Sequence, residues 1–208
     1  MTTSQQADLQ FVREMTEAGR GAPLLGGRIY IFWGILLSTA YVFQWSVLDG
    51  RFGLPAQALG LVWIGVGITA GVGMPLLIRG LRNKPGRGAV GNRVDNVVWS
   101  LSALSIFSFA VGIAMATAVF GKPAWIWDFV IAVGFVGYGV SLFTTGEMAG
   151  LKWMRIPSFI AVIGAGCVPA LVGQPEVYLF GATIIIATAL VPGIILVAGE
   201  PKSLPDES

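Results

Sequence analysis

The sequence has no histidine and a single cysteine, Cys167. Without histidine it lacks the commonest metal ligand and the commonest general base near neutral pH. One cysteine excludes an internal disulfide, and no thiol cluster is present to hold zinc or an iron–sulfur centre. Charge is scarce as well: 12 % of residues are Asp, Glu, Lys or Arg, where a soluble domain carries about 25 %. So few ionic groups cannot cover the surface of a soluble fold of 208 residues. The expectation is a chain with no catalytic, cofactor-binding or metal-binding residues, and not an enzyme.

Apolar length takes the place of charge. Crossing a hydrocarbon core needs about 20 apolar residues. Residues 29–48, 58–78, 97–120, 125–144, 157–171 and 177–197 supply six such runs, the fifth the shortest. The pattern predicts an all-α membrane protein. Residues 1–28 form a cytoplasmic amphipathic N-terminal segment, 29–198 a six-helix transmembrane domain and 199–208 a cytoplasmic tail. The first segment reads as a short helix, with Thr3 and Gln6 at capping-box spacing and Leu9, Val12 and Met15 on one stripe. It is too polar for a cleaved signal.

The basic residues set the orientation. With six spans, one side carries Arg13, Arg20, Arg28, Arg79, Arg82, Lys84, Arg87, Arg93, Lys152, Arg155 and Lys202. The other carries Arg51 and Lys122. Eleven against two places both termini in the cytoplasm by the positive-inside rule. The loop between the second and third runs contains GRGAVG at 86–91, a literal G-x-G-x-x-G. That motif binds a dinucleotide only between a strand and a helix of a βαβ unit, and apolar runs flank it here. It is a topology signal. Arg79, Arg82, Lys84, Arg87, Arg93, Lys152 and Arg155 together form a candidate surface for a soluble partner or for anionic lipid headgroups, each basic residue contributing about 1 kcal/mol near such a surface. The loop has no interleaved aromatics, so nucleic acid is not expected as a partner.

An ionisable group at mid-membrane would point to function, and none is expected. Asp49, Asp95, Asp128 and Glu147 fall at span ends, within reach of water. Gln44 in the first run and Ser100, Ser102, Ser105 and Ser108 in the third are candidate polar groups inside the runs, as packing contacts or as the lining of a small path. Asn92 is placed to cap the third helix, with Asp95 in its first turn and Trp99 one turn later on the same face. Gly67–Gly71 is a G-x-x-x-G, and Gly112–Ala116 and Gly166–Ala170 are small-residue variants, all predicting tight packing within the chain. Pro192 removes a backbone bond and predicts a kink with a freed carbonyl, a candidate hinge. The tryptophans read mostly as interfacial anchors.

Phe32-Trp33-Gly34, Asp95 with Trp99, Tyr138-Gly139 and Leu190-Val191-Pro192-Gly193 occur in that order. In this the chain resembles a group of uncharacterised bacterial six-helix inner-membrane proteins often encoded beside small winged-helix regulators. The resemblance implies a bacterial inner-membrane protein with a soluble regulatory partner, and it carries over no catalytic residues. Three functions stay open. The first is a non-enzymatic interaction or regulatory protein with a basic cytoplasmic face. The second is a small transporter or channel using Gln44, the serines and Pro192. The third is a lipid-modifying enzyme built around Glu147, Lys152 and Arg155.

Overall fold

A computed structural model of the protein describes residues 23–81, 84 and 86–200. Arg82, most of the N-terminal amphipathic segment and the tail beyond Glu200 lie outside the described residues. Among the described residues every regular element is a helix, with no strand. Helix α1 is Gly27–Leu48. A 3-10 turn, Ala56–Ala58, leads into α2, Leu59–Leu81, and α3 is Val90–Ala118. Another, Ala124–Asp128, leads into α4, Phe129–Met148. Helix α5, Arg155–Cys167, is extended at both ends by 3-10 turns, Lys152–Met154 and Val168–Ala170. Helix α6, Glu176–Ile185, runs through a π turn, Ile186–Leu190, into α7, Val191–Ala198. Taken as continuous spans, these make six helices long and apolar enough to cross a membrane, which fits a multi-pass membrane protein. The fifth is longer than expected, 19 residues from Lys152 to Ala170, because the 3-10 turns add to it.

Chain reversals are closed by glycine where the helix ends require it. Past α4, Gly150 takes φ 72°, and the amides of Gly150 and Leu151 return to the carbonyls of Glu147 and Gly146 at 3.3 and 2.8 Å. This is the Schellman closure, which needs a left-handed residue just beyond the helix. Gly50 does the same past α1, with Arg51 bonding back to Ser46.

The spans pack in the order 2–1–6–5–4–3, so the first, sixth, fifth and fourth form an inner group with α2 and α3 attached at its two ends. None of the apolar stretch of α2 or α3 is buried, against 39 % for the first, fourth and fifth spans and 44 % for the sixth. The first and sixth spans meet backbone to backbone. A methyl group on Gly34 would lie 2.7 Å from the Leu190 nitrogen, and one on Gly193 would lie 2.7 Å from the Ile31 nitrogen. Close approach of this kind replaces the hydrophobic drive that lipid abolishes. The glycines expected to mediate packing do not do so. A methyl group on Gly67, Gly71, Gly112 or Gly166 would meet nothing within 4 Å. Their helices turn those faces outward, and the G-x-x-x-G spacing says nothing about which face looks inward.

Candidate functional site

Helix α3 starts at Val90, seven residues before the expected apolar run, so Asp95 lies inside its second turn. From there its carboxylate reaches across to two other spans. Tyr30 of α1 donates its hydroxyl to Asp95 Oδ1 at 2.7 Å, and Thr145 of α4 donates to the same oxygen at 3.2 Å. Trp99, four residues on and therefore on the same helical face, donates its indole N–H to the Tyr30 oxygen at 2.7 Å. Its ring meets Tyr30 at 5.1 Å and stands edge-on to Tyr138 of α4 at 4.7 Å. Gly26 completes the enclosure: a methyl group there would sit 2.9 Å from Asp95 Oδ2. Asp95 and Trp99, two of the sequence candidates, are thus brought together, with Tyr30 as the joint between them.

Asn92 does not cap α3. The residue before the helix is Ala89, which makes no side-chain cap, and Asn92 is the third residue of the helix, within its first turn. Its amide instead fastens the chain leading into α1: Oδ1 accepts the Leu25 N–H at 2.9 Å, and Nδ2 donates to the carbonyls of Pro23 and Gly86 at 3.0 and 2.9 Å.

At the far end of the bundle a second carboxylate plays a matching part. Asp128 is buried, 4 % exposed, and accepts the Gly173 N–H at 2.8 Å and the Tyr178 hydroxyl at 2.5 Å. It joins the start of α4 to the loop before α6 and to α6 itself. The expectation that water reaches these acids at span ends therefore fails for Asp128, and for the engaged oxygen of Asp95. A carboxylate in an apolar setting needs donors in place of water, and tyrosine supplies one at each end. All four tyrosines of the chain, Tyr30, Tyr41, Tyr138 and Tyr178, are buried.

The polar groups inside the spans do not line a shared path. Gln44 Oε1 accepts the Trp63 indole N–H at 2.7 Å, clasping α1 to α2. Ser102 meets Ser141 at 2.8 Å, joining α3 to α4. Ser105 bonds back to the Leu101 carbonyl, and Ser100 and Ser108 face outward. Trp63 and Trp99 turn their N–H groups to partners on other helices, whereas Trp125 and Trp127 stay exposed as interfacial anchors would. A groove of about 330 Å³, lined by Ser38, Val42, Phe52 and Ile186 among others, is shallow and open on the outer surface of α1 and the π turn.

Pro192 is fully buried. The π turn absorbs its effect, with the Val191 amide bonding to the Ile186 carbonyl. Thr188, also enclosed, donates to the Ile184 carbonyl at 2.7 Å. Flanked by the Gly34 and Gly193 contacts, the irregularity packs against α1.

The end of the bundle where α1 begins and α7 ends also carries basic residues. Arg79, Arg87, Arg93, Lys152 and Arg155 are exposed there, and Arg155 grips the exposed Glu147 through two bonds of 2.5 and 2.9 Å. Lys84 is paired with Glu200, which Arg28 approaches at 3.7 Å. Glu147 and Asp95 belong to separate sets, so they do not converge on one cleft. Among the described residues no three His, Cys, Asp or Glu side chains are placed to hold a metal ion.

Sequence reasoning missed Tyr30, Thr145, Tyr178 and Glu200. A signal existed for the tyrosines: a hydroxyl inside an apolar run must find a partner, and acids near span ends are the natural acceptors. No protein-family model, curated protein or solved structure matches the chain.

Proposed function

We propose that the protein is a non-enzymatic interaction or regulatory protein of the bacterial inner membrane, with both termini cytoplasmic. Its basic end engages a soluble cytoplasmic partner and anionic lipid headgroups. The observation that carries this reading is a division of labour among polar groups. Those that hydrogen-bond within the bundle join one span to another or bond back to their own helix, whereas exposed cations gather at a single end, with Arg51 and Lys122 the described basic residues at the opposite one. An interaction face needs the second feature, and a conducting path would need the first group turned inward.

The test is a mild-detergent pull-down of the tagged protein from its native membrane, beside a variant with Arg79, Arg87, Arg93 and Lys152 replaced by glutamine. A stoichiometric soluble partner lost in the variant is the expected result. Equal recovery from both would place the partner elsewhere on the protein and overturn the reading.

The transporter alternative has one observation in its favour. Asp95 and Asp128 stand at opposite ends of the bundle, each accepting a tyrosine hydroxyl. Between them Trp99, Tyr138, Tyr41 and Tyr178 pack in one cluster. Ion flux in liposomes separates the two readings.

A further inference from the structure

Glu200, just past α7, is unusual among the charged residues in being 7 % exposed at its side chain. Its Oε2 carries the whole of its pairing, accepting Lys84 Nζ from the loop between α2 and α3 and lying 3.7 Å from Arg28 Nη2 at the start of α1. Oε1 is buried and finds no donor among the described residues. The two cations are more open: Arg28 is 53 % and Lys84 25 % exposed at the side chain. At 3.7 Å Arg28 makes an ionic contact without a hydrogen bond.

The match is poor on both sides. A guanidinium presents five N–H donors in a fixed fork and an ammonium three, yet among the described residues they meet between them one carboxylate oxygen. The carboxylate, in turn, leaves an acceptor stranded out of water, which is costly for a charged group. A phosphate suits the same pair better, since it offers several oxygens and can take an arginine fork on two of them. The cluster also stands at the ends of three membrane-length helices, where lipid headgroups lie.

We propose that Arg28 and Lys84 form a binding site for the phosphate of an anionic lipid headgroup, and that Glu200 is its built-in competitor. Lipid binding swings the carboxylate out to water, satisfies its stranded oxygen and releases the end of α7 from the loop between α2 and α3. The site thereby reports the anionic lipid content of the leaflet as the presence or absence of one clasp. This rests on the reading that the basic end meets an anionic membrane surface, and it needs no soluble partner.

The purified protein in phosphatidylcholine nanodiscs with graded phosphatidylglycerol supplies the test, with retained phosphatidylglycerol counted by native mass spectrometry. Arg28→Gln and Lys84→Gln should each weaken retention roughly fivefold, the equivalent of about 1 kcal/mol per basic residue at such a surface. Glu200→Gln should strengthen it, and Arg51→Gln at the far end should leave it unchanged. Thermal unfolding of each variant in the same discs identifies any that fail to fold, and Glu200→Ala then replaces Glu200→Gln. If the two cation variants lose lipid while neither Glu200 variant gains it, the competitor role is overturned but the lipid surface stands. If the cation variants retain lipid like the wild type, the site is overturned, while a lipid surface formed by Arg79, Arg87, Arg93 and Lys152 stands. Inorganic phosphate titrated against bound phosphatidylglycerol separates the two sources of the same chemistry. Displacement at equal potency would assign the site to free phosphate and overturn the lipid assignment, and resistance to displacement is expected.

Discussion

The inner spans and the outer pair are equally apolar and differ in what holds them. The first and sixth spans approach until Gly34 and Gly193 touch the opposing backbone, and the fourth and fifth are tied by Ser158 donating to the Gly139 carbonyl at 2.8 Å. By contrast, α2 is attached through Gly73 against Phe32, Trp63 on Tyr41 and the Gln44 bond, and α3 through Ser102 and the Asp95–Trp99 group. Mean hydropathy does not separate them: the stretches of α2 and α3 both score 2.0, between the 1.4 of the fifth span and the 2.4 of the sixth. In lipid an apolar side chain gains nothing from the hydrophobic effect by turning inward. Burial is therefore decided by small residues and hydrogen bonds, and these separate the two regions.

The contrast breaks most sharply at the glycines. Gly34→Val or Gly193→Val forces side-chain atoms into a backbone contact, and overpacking of this kind costs about 1–3 kcal/mol or more. Gly67→Val and Gly71→Val on α2 meet open space and should stay within about 0.5 kcal/mol of wild type. Denaturant unfolding in mild detergent measures both sets, and equal losses would erase the distinction.

Next in size are the two carboxylates. Asp128→Ala strands the Tyr178 hydroxyl and the Gly173 N–H in a buried setting, a loss of about 1–3 kcal/mol per group. Asp95→Ala, at a half-buried position with one oxygen near Gly26, should cost less. A reversed order in the same unfolding experiment would mean that the far-end clasp is not the tighter one.

The smallest effect is expected at the α1–α2 clasp. Trp63→Phe removes one interhelical hydrogen bond, about 0.6 kcal/mol on average within a bilayer. Global stability should hardly move. Disulfide cross-linking between cysteines placed on α1 and α2 should nevertheless slow, because little else holds α2. Unchanged cross-linking would show that the Gly73–Phe32 contact suffices alone.

Much of this architecture is readable from the residues. Six apolar runs and the gathering of cations at alternate loops follow from hydropathy and charge, both local quantities. The clasps do not, since Asp95 and Tyr30 are 65 residues apart and Asp128 and Tyr178 are 50. No local pattern marks a hydroxyl as the partner of a distant carboxylate. The start of α3 was obscured by its polar first turns, which read as a capped approach to the membrane although Asn92 holds the segment leading into α1 and Asp95 reaches α1 and α4. Glycine spacing misled for a related reason. Gly67–Gly71 has the motif without a partner, and Gly34 with Gly193 has the partner across two spans without the motif.

The central claim is that the bundle is a closed scaffold in which Asp95 and Asp128 are structural joints. Proton and alkali-cation flux into liposomes reconstituted with the purified protein tests it most directly. Flux no greater than in protein-free liposomes is expected, for wild type and for Asp95→Asn and Asp128→Asn alike. Flux carried by the wild type and abolished in either variant would contradict the claim, making the tyrosine-lined file between the two acids a path.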